Sequence, residues 1–264
     1  MEQQDILSMT LPELQAAVQE LSEPKFRAKQ IFNWLHQKRV TDFSEMTTLS
    51  LPFRERLASD FCINRLKIAK RLASSVDDTV KYLYELPDGN YVETVCMQYH
   101  HGTSLCISTQ VGCRMGCRFC ASAIAGFVRN LTPAEMLLQI YETERAQNCK
   151  ISSLVLMGIG EPLDNFDNVL RFLQLLSDPN GYGMSLRHVT VSTCGVVPKI
   201  LELAEQRLGL TLSVSLHCPN DAGRSAIMPI NRSYPIDVLL DACQTYFEKT
   251  GRRVTFEYAV MDQV

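Results

Sequence analysis

Cys106-Ile-Ser-Thr-Gln-Val-Gly-Cys113-Arg-Met-Gly-Cys117-Arg-Phe-Cys120 places four of the chain's ten cysteines within fifteen residues, the last three spaced C-x3-C-x2-C. Thiolates at such spacing bind zinc or iron–sulfur centres. A closed structural zinc site takes a fourth ligand, usually from a second C-x2-C or an H-x3-5-H pair. None follows Cys120; the next cysteine is Cys149, at the end of a predicted helix. Three thiolates on a 4Fe-4S cube leave one iron open to a small chelating molecule, whereas clusters serving structure or electron transfer alone are normally closed by four cysteines. The open cluster is the favoured reading and zinc the alternative.

Outward from this loop, short apolar strands alternate with helical stretches. Strand Leu105-Cys-Ile-Ser feeds the loop, and a helix over 133–147 follows, opened by the capping-box pattern Thr132-Pro-Ala-Glu135. Strands 153–157, 188–192, 211–216 and 253–258 follow, interleaved with helices over 166–176, 199–205 and 236–249. Five such units predict a parallel sheet, either a barrel or an open doubly wound one. Upstream, Thr10-Leu-Pro-Glu13 opens the first of three helices. The second, over 25–39, is expected to bury Phe26, Ile31, Trp34 and Leu35, and Ser50 is expected to cap the third. Between bundle and sheet, Val80 to Leu86 and Tyr91 to Met97 alternate around Pro87-Asp-Gly-Asn90 as a β-hairpin.

Composition bounds the rest. With 46% hydrophobic and 21% charged residues the chain has the make-up of a folded protein. No run approaches the roughly 18 apolar residues of a membrane span, and the polar start Met-Glu-Gln-Gln-Asp is not a signal peptide. Ten cysteines without an export signal imply a reducing cytoplasm, where thiols serve metals and catalysis. The formal charge is −3, yet residues 23–75 hold eleven Lys/Arg against five Asp/Glu, either a solvated helical face or a phosphate-contacting surface.

The C-x3-C-x2-C spacing resembles that of the radical S-adenosylmethionine enzymes. Ser108-Thr-Gln-Val-Gly-Cys113, Cys117-Arg-Phe-Cys120-Ala-Ser, Gly126-Phe-Val-Arg-Asn-Leu131, Met157-Gly-Ile-Gly-Glu-Pro-Leu163, Val191-Ser-Thr-Cys-Gly-Val-Val-Pro198 and Ser215-Leu-His-Cys-Pro-Asn-Asp221 resemble, in order, the adenine-C2 methyltransferases of 23S ribosomal RNA. The resemblance implies an α/β fold: a partial six-stranded β/α barrel over residues 104–264, an RNA-binding helical domain over 1–62 and a hairpin region over 63–103. It implies that Cys113, Cys117 and Cys120 hold a 4Fe-4S cluster. Gly160, Glu161, Ser192, Ser215, Leu216 and His217 would bind S-adenosylmethionine. Glu93, thirteen residues before Cys106 as in the family, would accept a proton. Cys106 would release the product from a protein–RNA adduct by a transient disulfide with a C-terminal cysteine that carries the methyl group. Taken singly, Glu93 reads as an exposed strand carboxylate, Cys106 as a buried thiol and His217 as a structural histidine.

The implied partners are 23S rRNA, transfer RNA and an electron donor such as flavodoxin; the chain is expected to be monomeric and cytoplasmic. Cys62, Cys96, Cys149, Cys194, Cys218 and Cys243 are read as packing. The sequence stops at Met261-Asp-Gln-Val264, after the fifth strand, and nothing matches the family's later methyl-carrying cysteine. A fragment is therefore expected, or a protein unable to complete the reaction. The alternatives are a relative that methylates C8 of the same adenosine and a non-catalytic RNA- or zinc-binding module.

Overall fold

The structure, a computed structural model, describes residues 3–260; the terminal Met261-Asp-Gln-Val264 lies outside the described residues. Its first part is helical: α1 (Leu11–Glu20), α2 (Phe26–His36) and α3 (Leu51–Asp60), tied by a short parallel pair, β1 (Gln4–Asp5) with β2 (Phe61–Cys62). The predicted capping box forms, Thr10 N donating to Glu13 Oε2 at 2.8 Å. Ser50 precedes α3 without a side-chain capping bond.

One expectation fails. Phe26 is 58% exposed, with the Arg27 guanidinium over its ring. The buried stripe of α2 is Ala28, Ile31, Phe32, Leu35 and His36, and Phe26 lies about 200° round the helix from Ala28. Trp34 packs partly against the core, its indole N–H donating to Thr48 Oγ1 at 2.8 Å.

The remaining strands are β3 (Lys67–Ala73), β4 (Val80–Glu85), β5 (Tyr91–Tyr99), β6 (Gly102–Cys106), β7 (Gln110–Gly112), β8 (Phe127–Asn130), β9 (Ile151–Leu156), β10 (Val189–Thr193), β11 (Thr211–Ser215) and β12 (Val254–Glu257). The helices between them are α4 (Pro133–Gln147), α5 (Phe166–Ser177), α6 (Val197–Glu205), α7 (Asp221–Ile227) and α8 (Ile236–Thr250). Eight strands form one sheet in the order β12-β11-β10-β9-β6-β5-β4-β3. From β6 to β12 neighbours run parallel; β3 to β6 pair antiparallel. The predicted hairpin is thus continuous with the parallel strands. It also carries an outer strand, β3, that alternation alone did not reveal, because a bulge between Ile68 and Lys70 breaks the period and all seven residues are exposed.

Alternate residues separate the two faces of the sheet. Leu105, Leu154, Val191, Leu212 and Val214 are buried in the core, which also holds Leu137, Phe172, Ile200 and Leu239 of the helices. The opposite face carries Cys106 beside Val155 and then polar pairs in register, Ser192 beside Ser213 and Ser215 beside Glu257. The core continues into the N-terminal helices through Ile6, Leu14 and Ile31. His36 Nδ1 lies 2.9 Å from the Tyr141 hydroxyl, and Arg39 pairs with Glu144 at 2.5 Å across the same junction. Among the described residues no helix is long and apolar enough to cross a membrane.

Candidate active site at the carboxyl ends of the parallel strands

The cysteine loop hangs from the ribbon β7–β8. At Gly112 the backbone has φ +73°, and a Cβ there would lie 1.7 Å from the Gly126 carbonyl oxygen. Only glycine lets the two strands approach so closely. Cys113 N donates to Gly126 O at 3.2 Å, Cys120 N to Cys117 O at 3.1 Å, and Arg118 N to Ile227 O at 2.9 Å, which pins the loop to α7. Burial pushes the thiols of Cys113 and Cys117 up, Cys117 to about 11. Binding a metal group there releases protons.

The second wall is the turn after β9. Gly158 leaves no room for a side chain, since a Cβ would meet Ile107 C and O at 2.7 Å; at Gly160, φ is +109° and a Cβ would meet Gln110 Cβ at 2.6 Å. Glu161 N donates to Gln110 Oε1 at 2.8 Å. The Glu161 carboxylate is buried and accepts from Leu163 N at 3.0 Å and Cys194 N at 2.8 Å; burial raises its pKa. A buried carboxylate held in this way suits a cationic ligand group.

The third wall comes from β10 to β12. Glu257 gathers three serine hydroxyls, accepting from Ser213 Oγ at 2.7 Å, Ser215 Oγ at 3.1 Å and, more weakly, Ser192 Oγ at 3.5 Å. His217 adopts φ +55°. Its Nδ1 accepts from Ala259 N at 3.0 Å, which places the proton of the neutral ring on Nε2, and burial holds its pKa below the ordinary value.

A cavity of about 160 Å³ brings these walls together: Cys113, Cys117 and Cys120 line it with Gly160, Glu161, Ser192, Ser215 and His217. Leu216, expected among the ligand contacts, is not one of the residues lining the cavity; its N–H donates to Glu257 O at 3.0 Å and its carbonyl accepts from Arg224 Nε at 3.2 Å. Cys106 lies beside the cavity, opposite Val95 and Val155; burial pushes its thiol up to about 11. Glu93 is farther out on the same face, ion-paired with Lys81. Two larger clefts, of about 720 Å³ around Arg39 and Lys150 and about 730 Å³ around Asp88 and Arg129, lie elsewhere. Chemistry, not size, marks the site.

Sequence reasoning missed Glu257, Cys194 and Arg224. Glu257 was legible only as one more residue of the fifth strand. Cys194, read as packing, lines the cavity.

A family profile described as "Ribosomal RNA large subunit methyltransferase N-terminal domain" matches residues 4–63, and the "Radical SAM superfamily" profile matches residues 107–264. The "Probable dual-specificity RNA methyltransferase RlmN" of Lachnoclostridium phytofermentans is 52% identical over 98% of this chain and 73% of its own length. The chain belongs to the RlmN family of radical SAM methyltransferases. The protein of the same name from Alkaliphilus oremlandii is 50% identical over the whole of this chain and 77% of its own. The crystal structure of a radical SAM methyltransferase from Sphaerobacter thermophilus superposes with a TM-score of 0.93 at 39% identity, covering 99% of this chain and 77% of that one.

Membership makes the chain an enzyme that uses S-adenosylmethionine and a 4Fe-4S cluster. The donor set fits that cluster: three thiols edge one cavity, beside the buried Glu161 carboxylate. Among the described residues no two cysteines are joined by a disulfide.

Proposed function

We propose that this chain methylates C2 of an adenosine in 23S ribosomal RNA, and of an adenosine in transfer-RNA anticodon loops. The carrying observation is the convergence of Cys113, Cys117 and Cys120 with Glu161, Ser192, Ser215 and His217 on one cavity, with Cys106 and Glu93 on the sheet face beside it.

Cys113, Cys117 and Cys120 would hold the cluster, which with bound S-adenosylmethionine supplies one-electron cleavage and the methyl group. Glu161 would accept from the ligand's ammonium group. The Gly158 and Gly160 backbone would line its methionine end without side-chain interference. Ser192 and Ser215, oriented by Glu257, would present hydroxyls to the rest of the ligand, with His217 Nε2 as a further donor. Glu93, ion-paired with Lys81, would take the proton leaving the adenine ring. Cys106, its thiol pushed up to about 11 by burial, would release RNA from the family's methyl-carrying cysteine, for which this sequence has no match. It would lose its proton and form a disulfide with that cysteine as the bond from that sulfur to the transferred carbon breaks. Residues 1–62 would act as the RNA-contacting domain, as the name of the matching profile suggests. A flavodoxin-type donor, a monomeric state and cytoplasmic action complete the reading.

The test is anaerobic reconstitution with iron and sulfide, then electron paramagnetic resonance with and without S-adenosylmethionine, then mass spectrometry of nucleosides from treated RNA. About four irons per chain, a spectrum altered by the ligand and 2-methyladenosine support the reading. 8-Methyladenosine would replace the C2 assignment. A colourless protein with stoichiometric zinc would overturn the whole.

A further inference from the structure

Arg224, the fourth residue of α7, has 0% exposure. Its guanidinium donates to Cys194 O at 2.7 Å, Ser215 O at 3.1 Å, Leu216 O at 3.2 Å and Asn231 Oδ1 at 2.9 Å. Every acceptor is neutral. The nearest acid on its own helix, Asp221, is reached only through Asn231, whose Nδ2 donates to Asp221 Oδ1 at 2.8 Å. Glu161, the other buried charge of the site, accepts from the Cys194 amide instead, and among the described residues no ion pair joins it to Arg224. Cys194 is deeply buried and its thiol is pushed well up, so it supplies no negative charge.

A buried cation is costly unless a counter-charge is near. The residues whose carbonyls hold Arg224 include Cys194 and Ser215, both lining the cavity, and α7 is bonded to the cysteine loop through Ile227 O. The guanidinium therefore sits directly behind the cavity wall, where α7 meets the cysteine loop. A 4Fe-4S cluster in its 2+ state on three thiolates carries a net −1, and −2 after it accepts one electron. We propose that Arg224 is the counter-ion of the cluster, a positioning residue that favours the reduced state. This rests on the reading of the site given above. The electron comes from an external one-electron reductant, and Arg224 itself neither gains nor loses a proton.

The test titrates the reconstituted chain with dithionite and mediators, following the reduced cluster by electron paramagnetic resonance. Net charge near a cluster sets its potential. Arg224→Gln should therefore lower the reduced-to-oxidised ratio at fixed poise at least tenfold, a shift of about 59 mV for one electron. Arg224→Lys, which keeps the charge and loses most of the hydrogen bonds, should stay within threefold of the parent. Should the glutamine variant not fold, Arg224→Met, which keeps most of the side chain's length without its charge, should lower the ratio in the same direction. Equal effects of the glutamine and lysine variants, or an unmoved ratio in Arg224→Gln or Arg224→Met, would overturn the counter-ion role. A parent protein that takes up no cluster would overturn the functional reading itself.

Discussion

Lys81 Nζ on β4 lies 2.7 Å from Glu93 Oε1 on β5, diagonally across the sheet face on which Val95 pairs with Cys106. Both side chains are about two-fifths exposed, and exposed ion pairs contribute at most about 1 kcal/mol. Glu93→Gln and Lys81→Gln should each leave unfolding free energy within that range. A proton acceptor is worth far more in rate, about 10²–10⁴-fold. Methyl transfer to RNA should fall by that factor in Glu93→Gln and by less than about tenfold in Lys81→Gln. Equal losses in both variants would reduce Glu93 to a structural partner.

Gly112→Ala should disarm the site without unfolding the barrel. The added methyl would collide with backbone, Gly126 O at 1.7 Å, so the β7–β8 ribbon must part. Iron retained after reconstitution should drop several-fold while far-ultraviolet circular dichroism is kept. Gly89→Ala is the control: φ is +81° in a hairpin turn, with nothing within 4 Å of a Cβ. It should cost about 1 kcal/mol and no iron.

Glu257→Ala releases the hydroxyls of Ser213, Ser215 and Ser192. Affinity for S-adenosylmethionine, measured by calorimetry on the reconstituted protein, should weaken at least tenfold at unchanged iron content. Unchanged affinity would leave Glu257 a strand-bracing residue only.

His36 gives the junction between the helical part and α4 a pH dependence. Burial lowers its pKa to about 4, so the folded chain binds the proton more weakly than the unfolded one. Stability is therefore whole above pH 6.5 and falls as the pH drops toward 4. Urea unfolding should lose about 2 kcal/mol from this group between pH 6.5 and 5. His36→Gln, which keeps a polar partner for Tyr141 and cannot titrate in this range, should flatten the curve there.

Much of this was legible in the sequence because local chemistry carries it. The C-x3-C-x2-C spacing limits the metal group whatever surrounds it, the capping boxes at Thr10 and Thr132 depend on neighbours three residues away, and apolar periodicity marks strands and helices one by one. Phe26 escaped correct assignment because its hydrophobicity says nothing about which side of α2 meets the core. Strand β3 escaped because a bulge destroys the period that would announce it.

The sequence by itself determined the alternation of strands and helices after residue 104 and the C-x3-C-x2-C grouping of Cys113, Cys117 and Cys120. Only the tertiary structure decided that Glu257, 42 or more residues from any serine it binds, organises one wall of the cavity, that Lys81 partners Glu93, and that Arg224, among the described residues, is hydrogen-bonded to neutral acceptors alone. Such relations are set by the register of neighbouring strands and by what burial does to a charge. Neither has a local signature, because both depend on which distant segments the core brings together.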